Sequence, residues 1–152
     1  EPAIAPHLAA AEAGVAIDTA RIVAAHAEIR AGADVVLAEG AGGFLVPLDA
    51  TRSFADLPAL LGMEVLLVVG LRLGCLNHAL LTAAAIEVAG LTLAGWVANT
   101  TGPAMDAFDE NLLTLEERLP ALRLGTVPYL GPSATPEQAN SWLDGTSLFG
   151  AR

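Results

Sequence analysis

An acidic residue followed by glycines ends a short apolar stretch of the chain. The stretch is 34–38, and Glu39 comes directly after it, followed by Gly40, Gly42 and Gly43. A nearly all-apolar run of this length is typical of a parallel strand buried on both faces. Open α/β sheets place their ligands at the carboxyl ends of such strands, and glycines let the backbone approach a ligand closely. The pattern predicts a carboxylate held toward a metal ion or phosphate groups. The alternative is a solvated acid in an ordinary strand-to-loop turn.

A second glycine turn precedes a helix predicted over 77–89. Gly74, Cys75, Leu76 and Asn77 form this turn. Backbone N–H groups at the start of a helix are free to bind an anion. A nucleophilic role for Cys75 would require a base, and only His78 is near it in sequence. A packed thiol and a structural imidazole are therefore the favoured interpretations of these two side chains.

Two further strand ends carry groups suited to a flat ring. Asn99 closes an apolar run, and its amide supplies the donor and the acceptor that a purine edge needs. A loop stiffened by Pro128, with Tyr129 and Leu130, can sandwich a ring. Taken alone, Asn99 would be interpreted as a turn residue. One Cys and three scattered His have no metal-ligand spacing, which argues against zinc.

The apolar patterning alternates between strands and helices four times. Strands are predicted over 34–38, 63–71, 91–99 and 122–127, with helices between and after them. Such alternation is typical of an α/β domain with a parallel sheet and right-handed crossovers. We therefore predict one domain over 1–152, built on a doubly wound parallel sheet with helices on both faces.

Composition narrows the possible partners. The 152 residues carry a net charge of −10 and include no lysine, so nucleic acid and anionic membrane surfaces are disfavoured as partners. No apolar run approaches the roughly 20 residues that a membrane helix needs. The single cysteine, Cys75, excludes an internal disulfide and fits the reducing cytoplasm.

Five blocks of sequence together resemble dethiobiotin synthetase, the family of ATP-dependent enzymes that act before the last step of biotin synthesis. In chain order they are PHL at 6–8, EGAGG at 39–43, LGCLNHALLT at 73–82, AGWVAN at 94–99 and GTVP at 125–128. Their order and spacing fit the family over essentially the whole chain. The ten-residue block is the most specific, whereas the glycine block alone would be weak.

The resemblance implies a role for Glu39 as the acid that ligates Mg²⁺ beside the ATP phosphates, with the following glycines in the nucleotide site. It implies that Asn99 reads adenine with help from Pro128, Tyr129 and Leu130. Glu137 matches a ribose-binding acid, although the loop before it is longer than the family's.

The resemblance also implies a homodimer. The backbone from Gly74 to Asn77 matches the helix start that holds the carboxylate of diaminopelargonic acid across the dimer interface. The family binds the same carboxylate with a tyrosine, and Asn111 stands at the nearest matching position here. The implied activity is ATP-dependent carboxylation of diaminopelargonic acid with CO₂ or bicarbonate and ring closure to dethiobiotin in the cytoplasm.

One departure from the family concerns its phosphate-binding loop. The chain has no G-x-x-x-x-G-K-[ST] motif and no lysine, so the family's catalytic lysines have no counterpart in it. We expect it to be the carboxy-terminal portion of a P-loop NTPase-like domain, poorly soluble or unfolded alone because the central P-loop strand is lacking. A P-loop switch protein of the partitioning type and a noncatalytic remnant of the synthetase are the alternatives.

Overall fold

The computed structural model describes residues 4–103 and 105–149, and the chain divides into two units after Met63. The first unit contains the helices α1 (Pro6–Glu12), α2 (Thr19–Arg30) and α3 (Asp56–Leu61). Proline begins α1, at a position where a missing N–H breaks no helical hydrogen bond. Asp18 caps α2, because its carboxylate accepts a 2.9 Å hydrogen bond from the Ala20 N–H.

The prediction of a strand over 34–38 is wrong. Residues 35–40 have no regular secondary structure, and none of the described residues pairs with them as a strand. The segment is not buried on both faces either, since Val35 is 49% and Leu37 is 77% exposed. A strand forms only through hydrogen bonds to a neighbouring strand, so an apolar run without such a neighbour remains an extended segment. The number of predicted strands therefore falls from four to three.

The second unit alternates strands and helices as predicted. Its elements are β1 (Val65–Gly70), α4 (Cys75–Val88), β2 (Leu93–Asn99), α5 (Phe108–Arg118), β3 (Arg123–Val127), α6 (Pro136–Asn140) and α7 (Thr146–Phe149). The three strands are parallel and lie in the order β1-β2-β3. The predicted α/β class is confirmed.

Side chains alternate across β2, which divides the core between the two faces of the sheet. Trp96 and Ala98 pack with Cys75 and Ala79 of α4 and with Leu115 of α5 on one face. On the other face the buried cluster is Val97, Leu124 and Val127, against which Leu130 and Ala139 of α6 pack. Helices therefore contribute to both faces, as the prediction required.

The strand β1 has a free edge among the described residues, because it pairs only with β2. Two of its apolar side chains are left in contact with solvent: Leu66 is 39% and Val68 is 57% exposed. Within 4–103 and 105–149, no helix is both long and apolar enough to cross a membrane.

Candidate functional site

The carboxyl ends of the three strands form one row. Gly70 is the register partner of Asn99, and Asn99 is the register partner of Val127. Backbone hydrogen bonds continue this row past the strand ends, from the Leu71 N–H to the Asn99 carbonyl at 2.8 Å and from the Thr100 N–H to the Val127 carbonyl at 2.9 Å. Ligands of open α/β sheets bind at this edge. The structure therefore brings together the turn at Gly74, the end of β2 and the loop after β3.

The turn before α4 has the backbone that an anion site needs. Gly74 has a φ of 94°, a left-handed conformation that favours glycine, and it is the residue directly before α4. The Cys75 N–H donates to the Arg72 carbonyl at 2.9 Å. The N–H groups of Leu76 and Asn77 lie in the first turn, where no carbonyl within the helix can accept from them. These groups lie at the carboxyl edge of the sheet, directly after β1.

The side chain of Cys75 is packed in the core rather than exposed to solvent. It is 3% exposed and belongs to the core on the α4 face. A cavity of about 480 Å³ lies beside this turn, and Arg72, Cys75 and His78 are among the residues that line it. The buried thiol agrees with the packing role favoured for Cys75. The exposed polar residues at this cavity are Arg72, His78 and Thr101.

Only some of the predicted nucleotide-binding residues at the ends of β2 and β3 line a common cavity. Pro128 and Tyr129 line a cavity of about 920 Å³, together with Thr100. Asn99 and Leu130 are not among its lining residues, and Leu130 packs against the buried cluster of Val97, Leu124 and Val127. The predicted nucleotide-binding residues of this edge are therefore close in the sheet, but they do not all line one cavity.

Glu137 lies in the first turn of α6. Thr135 caps this helix: its hydroxyl accepts from the Gln138 N–H at 3.4 Å, and the Gln138 side chain accepts from the Thr135 N–H at 2.9 Å. The backbone N–H of Glu137 itself, and then the Thr135 hydroxyl, lower the pKa of the Glu137 carboxyl. The exposed carboxylate is thus held in its charged form near the end of the loop that follows β3.

Glu39 and the glycines after it belong to the first unit, whereas the other predicted site residues belong to the second. The side chain of Glu39 is exposed and makes no ion pair with any described residue. Gly42 and Gly43 have φ values of 91° and 140°, so the chain turns sharply directly after the acid. No group of three or more His, Cys, Asp or Glu among the described residues could hold a metal ion. Glu39 could therefore ligate only a metal ion whose other ligands come from outside the described residues.

Sequence reasoning missed a polar network in the first unit. The Asp49 carboxylate accepts hydrogen bonds from the N–H groups of Thr51 and Arg52, each at 2.8 Å, and pairs with the Arg52 guanidinium at 2.6 Å. The same guanidinium donates to the Thr19 hydroxyl at the start of α2. The Thr51 N–H, followed by the Arg52 side chain, holds the pKa of the Asp49 carboxyl well below its usual range. Asp followed by Thr two residues later is the signal that could have predicted this turn.

Sequence reasoning also missed the segment 141–144. Leu143 forms an antiparallel bridge with Gly125 of β3, and the Asp144 N–H donates to the Leu124 carbonyl at 2.6 Å. This contact sets Trp142 beside the 920 Å³ cavity. A single bridging pair leaves no alternating pattern in the sequence, so no signal for it was available.

Comparison with known proteins agrees with this architecture. The profile of a family described as an AAA domain matches residues 1–137. The ATP-dependent dethiobiotin synthetase BioD of Pseudomonas paraeruginosa is 59% identical over 138 residues, which are 88% of this chain and 60% of that protein. Proteins of the same name from Aromatoleum aromaticum and Nitrosospira multiformis are 57% and 56% identical, over 92% and 84% of this chain and 62% and 57% of their own length.

The chain spans about three-fifths of the length of these curated relatives. The resemblance to dethiobiotin synthetase that the five sequence blocks indicated is confirmed by these matches. Because the family profile extends over nearly all of its residues, the chain belongs to the AAA domain family.

Proposed function

We propose that this chain is part of an enzyme that uses ATP to convert diaminopelargonic acid and CO₂ into dethiobiotin. The observation that carries the proposal is 56–59% identity to proteins named ATP-dependent dethiobiotin synthetase, over most of this chain. The identity is accompanied by strand ends that lie in one row at the ligand-binding edge of a parallel sheet. Neither a switch protein nor a noncatalytic remnant receives support from the names of these relatives.

The reaction joins one carbon to two amines of the same substrate. One amine of diaminopelargonic acid takes up CO₂ as a carbamate, and a carbamate oxygen accepts the terminal phosphoryl group of ATP, leaving ADP. The second amine then attacks the carbamate carbon, the bond to the phosphate oxygen breaks, and phosphate leaves as the cyclic urea closes. Positioning of the substrate contributes much of the rate enhancement of such reactions, because both amines must face one carbon.

The start of α4 is the proposed anchor for the substrate's carboxylate. The N–H groups of Leu76 and Asn77 have no helical acceptor, and Gly74, with a φ of 94°, makes the turn that precedes them. An anchor at the far end of a flexible diamine orients its amines without touching them. The residues Gly74, Cys75, Leu76 and Asn77 would therefore contribute orientation, and the partner subunit of a homodimer would supply the rest of that site.

Glu39 fits a magnesium site that is completed by nucleotide. Its carboxylate is exposed and unpaired among the described residues, and Mg²⁺ commonly takes one or two carboxylates together with phosphate oxygens and waters. The backbone of Gly40, Gly42 and Gly43, which lacks side chains, is the proposed contact for the phosphates beside it. When bound, Mg²⁺ would neutralise charge that develops on the transferred phosphoryl group. On the adenosine side, the proposed contacts are Asn99, Pro128, Tyr129, Leu130 and Glu137.

The phosphate-binding loop and its lysines would come from residues outside these 152, which contain no lysine. We propose accordingly that the chain is the carboxy-terminal portion of one P-loop domain, acting in the cytoplasm. No residue of this chain is proposed as a catalytic acid, base or nucleophile.

The experiment measures ADP release by the full-length protein with diaminopelargonic acid and bicarbonate present together or singly. The proposal predicts that ADP release requires both. ADP release that is unchanged when either is omitted would favour an ATPase switch, and a protein that neither binds nor turns over ATP would favour a remnant.

A further inference from the structure

A short hairpin lies beside the glycine turn of the first unit. Val46 and Phe54 stand at its two ends, and the Phe54 N–H donates to the Val46 carbonyl at 3.0 Å. Between them, Pro47 and Ser53 form an antiparallel bridge. We call residues 46–54 the hairpin. Its hydrogen bonds keep the two ends in register, so the side chains of Val46 and Phe54 are presented from neighbouring backbone positions.

Each end of the hairpin lies against one glycine of the turn. A Cβ built on Gly40 would lie 3.4 Å from Cδ1 and 3.6 Å from Cγ of the half-buried Phe54 ring. A Cβ built on Gly42 would lie 3.2 Å from Cγ2 of Val46. By contrast, no described atom apart from its chain neighbours lies within 4 Å of the same position on Gly43. The hairpin therefore supports the first part of the turn and leaves its end open.

The hairpin is itself fixed by two helices. At its tip, the Arg52 guanidinium donates to the hydroxyl of Thr19, a buried residue at the start of α2. At its end, the Ser53 N–H donates to the Asp56 carboxylate at 2.7 Å, in the first turn of α3. The backbone at Phe54 is therefore held between two anchored points.

Glu39 has no comparable support from its own side chain. Its carboxylate is exposed and accepts no hydrogen bond from a described residue, and residues 35–40 have no regular secondary structure. Metal sites normally orient their ligands through neighbouring groups, because a ligand that is free to move must be ordered when the metal binds. The ring of Phe54 beside Gly40, the residue directly after the acid, provides such a neighbour.

We infer that Phe54 positions the Glu39 carboxylate for its metal ion by packing against Gly40. Val46 supports Gly42 in the same way. This inference rests on the proposed function, in which Glu39 ligates Mg²⁺ beside the nucleotide phosphates. Phe54 is a positioning residue, since a phenyl ring offers no ligand atom and acts only through the backbone that follows the acid.

Binding of Mn²⁺ measures this role without turnover. EPR spectroscopy of Mn²⁺ titrated into the full-length protein with β,γ-imido-ATP gives the dissociation constant of the metal. Phe54→Ala is expected to raise this constant about tenfold, as when groups that orient metal ligands are removed. Phe54→Leu keeps a large apolar side chain and should stay within about threefold of wild type. The control is Leu61→Ala, which truncates a buried side chain on α3 and should leave the constant unchanged.

Two further readouts separate positioning from a general loss of structure. In Glu39→Gln, which itself weakens Mn²⁺ binding, the addition of Phe54→Ala should cause no further loss, because the ring acts through this carboxylate. Amide exchange of residues 39–43, measured by mass spectrometry without metal or nucleotide, should be at least about fivefold faster in Phe54→Ala and unchanged in Leu61→Ala. Circular dichroism checks that the variants are folded. If Phe54→Ala does not fold, the milder Val46→Ala replaces it, with an expected rise of about threefold in the Mn²⁺ constant.

Weaker Mn²⁺ binding in Phe54→Ala, rescued by Phe54→Leu and absent in the Glu39→Gln background, supports the inference. Wild-type Mn²⁺ affinity in Phe54→Ala overturns it. An equal loss of affinity in the wild-type and Glu39→Gln backgrounds also overturns it, because the ring would then act elsewhere.

The inference and the proposed function fail separately. Dethiobiotin formation by a protein whose Mn²⁺ affinity does not depend on Phe54 would reject the positioning role and leave the proposed function intact. Mn²⁺ binding that depends on Phe54, in a protein that forms no dethiobiotin, would support the positioning role and contradict the proposed function.

Discussion

Gly125 and Trp142 approach so closely that no other residue fits at position 125. A Cβ built on Gly125 would lie 2.1 Å from the backbone oxygen of Trp142, well inside the contact distance of the two atoms. The φ of Gly125 is not left-handed, so glycine is required here by the space alone. This contact lets the segment 141–144 lie along β3 and thereby form one wall of the 920 Å³ cavity.

Gly125→Ala is expected to displace the segment 141–144, because the obstruction is backbone and cannot rotate away. We expect a loss of roughly 1–3 kcal/mol in the free energy of unfolding, typical of overpacking. Urea denaturation of the full-length protein measures it. The control is Gly32→Ala, where a Cβ meets nothing within 4 Å and the φ is not left-handed, so stability should be equal or slightly higher. Equal stability of Gly125→Ala and wild type would contradict the packing described here.

Glu39→Gln is expected to remove magnesium-dependent turnover while leaving the fold intact. The side chain is exposed and carries no structural hydrogen bond to a described residue, so its loss should not affect packing. Loss of this proposed metal ligand should lower turnover by at least about tenfold and raise the Mg²⁺ concentration needed for half-maximal activity. Titration of activity with Mg²⁺ measures both. The matched control is Glu28→Gln, an exposed acid on α2. Wild-type magnesium dependence in Glu39→Gln would exclude Glu39 as a ligand.

Asp49 should make the stability of the protein sensitive to acid. Hydrogen bonds from the Thr51 N–H and from Arg52 favour its carboxylate and lower its folded-state pKa. A lowered folded-state pKa gives stability that is fully present above the unfolded-state pKa of about 4 and is lost as the pH falls through the folded-state value. Asp49→Asn should therefore be less stable than wild type near neutral pH, and the difference should shrink below about pH 4.

Urea denaturation of both proteins across this pH range measures the difference. Asp34→Asn, at an exposed acid that precedes the segment 35–40, serves as the control and should match wild type throughout. A difference between Asp49→Asn and wild type that stays constant down to about pH 2 would show that Asp49 acts by packing rather than by charge.

The isolated 152-residue chain is expected to associate or to unfold without cooperativity. The free edge of β1 and the exposed side chains of Leu66 and Val68 present a surface on which another chain can pair. Light scattering after size-exclusion chromatography measures the association, and a urea titration measures the cooperativity. A monomer with a single sharp unfolding transition would show that the free edge and the exposed side chains of β1 do not require another chain to cover them.

The second unit was largely predictable from the sequence because its signals are local. The apolar runs that became β1, β2 and β3 are each followed by a turn or helix start, and α4 (Cys75–Val88) lies within two residues of the helix predicted over 77–89. The strand predicted over 34–38 did not form, and the reason is nonlocal. Its apolar residues match a buried strand, but a strand also needs a partner, and its own residues cannot supply one.

The positions of the candidate site residues at strand ends were predictable, whereas the cavities beside them were not. The sequence indicates that Asn99, Pro128 and Tyr129 follow strand ends, and the register of β2 and β3 places them at one edge. It does not indicate that Asn99 would be absent from the lining of the 920 Å³ cavity or that Trp142 would be part of it. That arrangement depends on the alternation of side chains along β2 and on the single bridge at Gly125, neither of which leaves a motif.

The central claim is that this chain belongs to an enzyme that closes a cyclic urea at the expense of ATP. The most direct measurement incubates the full-length protein with MgATP, diaminopelargonic acid and ¹³C-bicarbonate, and analyses the products by mass spectrometry. We expect dethiobiotin that carries the label in its ureido carbon, formed in equimolar amount with ADP. ADP that accumulates without labelled dethiobiotin, in protein that is folded and binds ATP, would contradict the claim.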